Sequence, residues 1–281
     1  MKENSVIIRF NSLEELYEES SKTVNGCSID SFKRNLSRND PSFVGMTLEE
    51  LPKNKFSCEK YIHLLKDFDM NQNLGSSGNE KIFSETDGYD MNMDKYYDGE
   101  PKCLIDVKKR KEKGKIGKYI TLYVSICENC GVSPNSMLQR ALFATKLADI
   151  LEMQKYRVTI IATADVDHIA VDESGNEIDH MRVEIVLKKF EEPCIPSYVL
   201  CGLGPWIFRY YLFNFWYGHY KCHSGLGYTV NIDCGDRQDV VIINSGECFS
   251  DISKEKKIKE IEDKFIKSDE NLLYENYLSA I

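Results

Sequence analysis

Cys127-Glu128-Asn129-Cys130 places two thiols and a carboxylate within one tetrad. Cysteines at this spacing beside a helix start suit dithiol–disulfide exchange, because the positive end of the helix dipole stabilises a thiolate. The helix cap read from the sequence is Ser133, however, so the pair lies ahead of the first turn. Two reduced, partly buried cysteines are the plainer reading. Structural zinc asks for four Cys or His ligands. Cys222, His223, Cys234 and Cys248 are the other candidates, yet no second CxxC accompanies the first, and Cys222 and His223 are adjacent.

Carboxylates offer a second chemistry. Glu128, Asp165, Asp167 and Glu247 each follow an apolar run with the character of a strand. In a parallel sheet such strand ends converge, and a cluster of acids there suits Mg²⁺ and phosphodiester hydrolysis. Asp165-Val166-Asp167-His168 is the densest part, although strand alternation sends the two aspartates to one side and His168 to the other. Solvated acidic loops are the competing reading. Ser224–Tyr228, SGLGY, is glycine-rich but lacks the Lys-Ser/Thr of a phosphate loop. Lys108, Lys109, Arg110, Lys111, Lys113 and Lys115 form a basic run, either a solvated loop or an arm that docks phosphate or a partner.

The elements that position these groups follow from hydrophobic periodicity. Tyr119–Ile126 is a buried-type strand. Ser133 caps the next helix, and Pro134 takes its first position. Met137, Ala141, Leu142, Ala144, Leu147, Ala148 and Leu151 give that helix its inward stripe. Arg157–Ala164 is the second strand, which makes a βαβ unit with the tetrad at its elbow. Asp172–Glu177 is a turn joining His168–Val171 to Met181–Leu187 as a hairpin. Asp239–Asn244 is a further apolar strand, and Ser253 onward is helical with Ile258, Ile261, Phe265, Leu272, Leu273 and Leu278 inward. Ahead of the βαβ unit, Val6–Phe10 is a short strand, Ser12 with Glu15 makes a capping box, and Thr47 caps Leu48–Leu51. These elements predict an α/β fold with a mostly parallel central sheet, helices on both faces and an α+β N-terminal extension. The expected parts are residues 1–70 as the extension, 71–117 as a mobile loop or linker with the basic arm, and 118–281 as the main domain.

With 281 residues and 42% hydrophobic content, the chain can build a sizeable core. A formal net charge of −9 weighs against general duplex-DNA binding and leaves nucleic acid only a local basic patch. Tyr198–Tyr220 is the longest apolar-aromatic run, but Gly202, Gly204, Pro205, Arg209 and Asn214 interrupt it, so buried helices are expected rather than a membrane span. No apolar leader follows Met1, and ten cysteines without one read as reduced thiols of a cytoplasmic protein.

From Lys118 to the C-terminus the order of elements resembles the von Willebrand factor A (VWA) fold. The resemblance rests on a strand ending in the NCGVS elbow, the RALFATKLADILE helix, the strand RVTIIATA and the hairpin strand after it. It is similar to VWA-type proteins of unknown function from phages and mobile elements, which implies a host-cytosol setting. A metal-binding member of that family carries Asp-x-Ser-x-Ser at the elbow, oxygen ligands for a hard cation. The corresponding stretch here is Ser125-Ile126-Cys127-Glu128-Asn129, without the leading Asp and with a soft thiol. The resemblance therefore implies a degenerate metal site and a scaffold or protein-binding role. The expected partner is another protein, met by Ser125, Cys127, Glu128, Asn129, Cys130, Asp165, Asp167 and Glu247 or by the basic arm. No cofactor is expected. Mg²⁺ enters only under the alternative of a metal-dependent phosphodiesterase or nuclease, and an acidic inhibitor of a nucleic-acid-binding enzyme is the third reading.

Overall fold

The computed structural model describes residues 4–23, 40–52, 56–67, 80–84, 90–91, 95, 101–102, 104–108, 118–153, 156–172, 174–223 and 226–266. Contacts divide the chain into two units, Met1–Gln72 with Tyr119–Ile281, and Asn73–Lys118. The larger unit opens with β1 (Ser5–Phe10) and α1 (Leu13–Ser20). The Ser12 hydroxyl caps α1, accepting from the Glu15 N–H at 3.3 Å. The Glu15 carboxylate reaches past Ser12 and accepts from the Asn11 N–H at 2.6 Å. Two further helices follow, α2 (Pro41–Val44) and α3 (Glu59–Asp67). Between them the Thr47 cap closes a turn instead of opening a helix. Thr47 N–H donates to Glu50 at 3.0 Å, and Lys60 of α3 holds the same carboxylate at 2.7 Å.

The smaller unit is an antiparallel sheet of β2 (Glu80–Ser84), β3 (Asp90–Met91) and β4 (Leu104–Lys108), in the order β2–β4–β3. The stretch expected as a mobile loop therefore carries strands. EKIFS and LIDVK are short β-prone runs whose polar flanks hide them. Lys108 ends β4, while Lys109, Arg110, Lys111, Lys113 and Lys115 lie outside the described residues.

After β5 (Tyr119–Ser125) come α4 (Pro134–Met153), β6 (Arg157–Val171), β7 (Glu177–Lys188) and α5 (Pro196–Gly202). The chain continues through α6 (Phe213–His219), β8 (Lys221–Cys222), β9 (Tyr228–Thr229), β10 (Val240–Ile243) and α7 (Asp251–Ile261). The main sheet has the order β1–β7–β6–β5–β10, with β8 and β9 pairing the far half of β6. The β1/β7, β5/β6 and β5/β10 ladders are parallel, and β6 with β7 is antiparallel. This is the expected α/β sheet, but the expected N-terminal extension supplies one of its edges, because β1 pairs β7 along its full length.

Alternation sorts the two faces of the sheet. Leu122, Val158, Ile160, Ala162, Val183 and Ile185 are wholly buried on one face. There α5 comes so close to β7 that a Cβ on Gly202 would lie 2.3 Å from the Leu187 side chain. On the other face Tyr123, Ile161 and Val240 are covered by Ile232, from the irregular segment between β9 and β10. β6 does not stop at Ala164. It runs on to Val171, because Asp165 and Asp167 find Arg182 and His180 directly opposite in β7. The turn after β6 forms as expected, with Asn176 N–H donating to Asp172 at 2.8 Å.

The apolar-aromatic run folds into α5, a π-helical turn at Ile207–Leu212, and α6. Trp206 and Trp216 are fully buried within it, and the Trp206 indole N–H donates to the Cys201 carbonyl at 2.9 Å. Among the described residues no helix is long and apolar enough to cross a membrane. Ser250 and Ser253 form a capping box that starts α7, while Leu272, Leu273 and Leu278 lie outside the described residues.

Candidate functional site

The elbow begins where β5 ends. Ile126 N–H still donates across to the Thr163 carbonyl at 2.9 Å, so the chain stays sheet-like one residue past Ser125. Cys127 then turns inward, its sulfur 3.4 Å from the Ser125 hydroxyl and donating to the Asp165 carbonyl at 3.5 Å. Burial pushes the Cys127 thiol up, more than the hydrogen bond from Ser125 lowers it, so it is no ready nucleophile. Cys130 is exposed, and both cysteines are free. One thiol is buried and the other is exposed.

Glu128 is consumed by its neighbours. It forms a short charge-assisted contact with Arg140 of α4, and both side chains are 2% exposed. It also accepts from the Ser245 hydroxyl at 2.9 Å and the Gly246 N–H at 2.7 Å. Arg140 in turn donates to the Asn244 carbonyl at 3.2 Å and lies over the Phe249 ring. The pair thus ties the elbow to the loop after β10. Breaking one member of such a buried pair typically costs about 3–5 kcal/mol.

A second cation sits under the elbow. Arg209, in the π-helical turn, is 1% exposed and donates to three main-chain carbonyls, Phe43 at 2.8 Å, Asn129 at 3.3 Å and Val132 at 2.6 Å. Its guanidinium also covers the Phe43 ring at 4.4 Å. Burial lowers its pKa from the usual value, against the pull of Glu128. π-Turns often mark functional positions, and here the turn aims an arginine at the back of the elbow. Asn129, Cys130 and Gly131 form the exposed tip, braced from beneath by Arg140 and Arg209.

The expected convergence of acidic strand ends does not occur as free ligands. Asp165 is fully buried and accepts from Arg182 through Nε at 2.8 Å and Nη2 at 2.9 Å. His180 bridges the two aspartates, Nε2 3.2 Å from Asp165 and Nδ1 2.9 Å from Asp167. Both ring nitrogens donate there only when the ring carries two protons. Burial raises the Asp165 pKa above the ordinary carboxylate value, and the Arg182 hydrogen bonds pull it back down. Glu247 accepts from the Asn244 N–H at 2.9 Å and pairs with Lys257 at 3.1 Å. The other zinc candidates are also separated. His223 pairs with Glu177, and Cys248 is buried with its thiol pushed up to about 12 by burial. Among the described residues no three Cys, His, Asp or Glu side chains stand together as metal ligands.

Ser224 and Gly225 of the glycine-rich loop lie outside the described residues, and the chain after them enters β9, not a helix. Gly227 presses against β6. At φ +72°, a Cβ there would meet the Asp167 carbonyl at 2.1 Å, so only glycine fits.

One polar row crosses the covered face in register: Ser125, Thr163, Glu184 and Arg9. Arg9 donates to Glu184 through Nε at 2.9 Å. The Thr163 hydroxyl is buried in that row and has no hydrogen-bond partner among the described residues. The residues missing from the sequence reading are thus the cations Arg140, His180, Arg182 and Arg209. A signal for two of them exists. Asp165-x-Asp167 and His180-x-Arg182 flank the Asp172–Glu177 turn with opposite charge at matching alternation.

Fold and site together define an α/β domain whose polar groups at the strand ends neutralise one another beneath an exposed elbow. A family model described as "Domain of unknown function (DUF7192)" matches residues 1–268. The chain belongs to that family. No match is found among curated proteins or solved structures.

Proposed function

We propose that the chain is a non-enzymatic interaction protein that presents the elbow tip, Asn129–Gly131, to another protein. The observation that carries this reading is the bracing of an exposed tip by two buried cations, Arg140 and Arg209. A rigid recognition loop loses little entropy on binding. The degenerate VWA-like reading belongs to the same proposal. An antiparallel β7 following parallel β5 and β6 supports it, as do Glu128 and Asp165 being held by arginines where a hard cation would need them free. The phosphodiesterase alternative has less support, because each acid it requires is already paired.

The test is a photocrosslinking residue placed at Asn129 of the full chain in extract of the source organism. A control carries it at exposed Glu191. The expected result is a discrete adduct from position 129, absent from 191 and lost when Cys130→Arg is added. Identical adduct patterns at both positions, or none at either, sink the proposal.

A further inference from the structure

Two cysteines far apart in sequence meet where the N-terminal helices pack on the aromatic ones. Cys58 stands just ahead of α3, and Cys201 lies in α5. The Cys58 N–H donates to the Ser197 carbonyl at 3.2 Å, which docks its backbone on the first turn of α5. Cys201 is one turn further along the same helix face. A helical side chain leans back towards the N-terminus, over the turn before it, so the two side chains converge. Their surroundings are firmly packed. Tyr61 of α3 stacks on Trp206, with ring centroids 5.6 Å apart and planes at 13°, and the Trp206 indole holds the Cys201 carbonyl.

Cys58 is 5% exposed and Cys201 wholly buried, and both are free thiols. The two side chains hydrogen-bond each other, and that contact, ahead of burial, pushes the Cys201 thiol up. Cys201 thus keeps its proton and donates it to the Cys58 sulfur. A single buried cysteine is inert packing. Two in contact have a further chemistry, because once one sulfur is oxidised the other is already in place to attack it.

We infer that Cys58 and Cys201 are a site of reversible oxidation, closed to a disulfide by a peroxide. Cys58 has the residual exposure, with Ser57 beside it open to solvent, so it meets the oxidant first. Its sulfur loses a proton and attacks one oxygen of hydrogen peroxide. The O–O bond breaks, giving a sulfenic acid and, with that proton, one water. The Cys201 sulfur then attacks the sulfenic sulfur, the S–O bond breaks, and the hydroxyl leaves with the Cys201 proton as a second water. Two thiols give up two electrons, and one peroxide takes them. A dithiol reductant reverses the step by exchange. The bridge staples α3 to α5 and closes a loop of roughly 140 residues, which constrains the unfolded chain strongly.

The test treats the full folded chain with hydrogen peroxide, blocks the remaining thiols with iodoacetamide in denaturant, and maps peptides by mass spectrometry. The expected result is a linked pair of peptides carrying Cys58 and Cys201, lighter by two hydrogens than the reduced pair and separated by dithiothreitol. Exposed Cys130 reports that the oxidant has acted. The oxidised chain should keep its circular dichroism and melt at least about 5 °C higher than the reduced one. Cys201→Ala should lose the linkage and leave a Cys58 sulfenic acid that dimedone traps. Cys58 and Cys201 both alkylated after Cys130 has been oxidised overturn the inference, and this wild-type readout needs no variant to fold. So does a linkage that appears only in urea, or Cys58 joined chiefly to some other cysteine.

Discussion

Glu128 shows how a residue's role depends on what stands opposite it. In the sequence it is an acid at an elbow, the natural place for a ligand. In the structure it accepts from Arg140, Ser245 and Gly246 and has nothing left to offer a cation. Its removal should therefore damage the fold. Glu128→Ala leaves the Arg140 guanidinium buried without its counter-charge, and urea unfolding should show a loss of about 3–5 kcal/mol. Replacing both partners with Leu and Met should recover much of that loss, since the desolvation cost disappears with the charges. A Glu128→Ala chain as stable as the wild type would mean that the pair is not closed in solution. The partner was invisible in the sequence because Arg140 lies on a helix whose buried residues are otherwise apolar or small. An arginine there reads as the solvent side of an amphipathic stripe.

At the scale of elements, apolar runs were legible and polar ones were not. Tyr119–Ser125, Pro134–Met153 and Val240–Ile243 stand out because buried strands and a capped helix leave strong local patterns. Within β6 the acids Asp165 and Asp167 read equally as a solvated loop between Ala164 and the hairpin strand His168–Val171, yet Arg182 and His180 opposite them keep the strand continuous. The turn at Thr47 is a further case, with capping chemistry present and no helix behind it. Glu50 there is held to a pKa of about 2, first by the Lys60 hydrogen bond and then by those from Thr47. The folded value lies below the ordinary 4.5, so this contribution to stability is complete above the unfolded pKa and fades as the pH falls towards the folded one. Glu50→Gln should thus lower the denaturation midpoint at neutral pH and converge with the wild type near pH 2. A difference that persists unchanged into acid would show that the carboxylate charge is not what fastens this turn to α3.

For the whole molecule, the α/β class followed from the order of strands and helices, but the make-up of the sheet did not. Residues 1–70 looked like an appendage because Val6–Phe10 has no sequence neighbour to pair with. Its mate, β7, lies far along the chain, and such long-range pairing leaves no local trace. Arg209 also joins distant parts, since its carbonyl acceptors Phe43, Asn129 and Val132 are 166, 80 and 77 residues away. Contacts across such separations carry a large loop-closure cost and form only when most of the chain is already in place. Arg209 should therefore be a lock that closes after the rate-limiting step. Arg209→Met, worth at least about 3 kcal/mol in charge-assisted hydrogen bonds, should leave the refolding rate nearly unchanged and speed unfolding about a hundredfold in stopped-flow denaturant jumps. Slower refolding instead would place Arg209 in the nucleus. On the expected outcome, one buried guanidinium governs how long the native state persists, and hardly affects how fast it is reached.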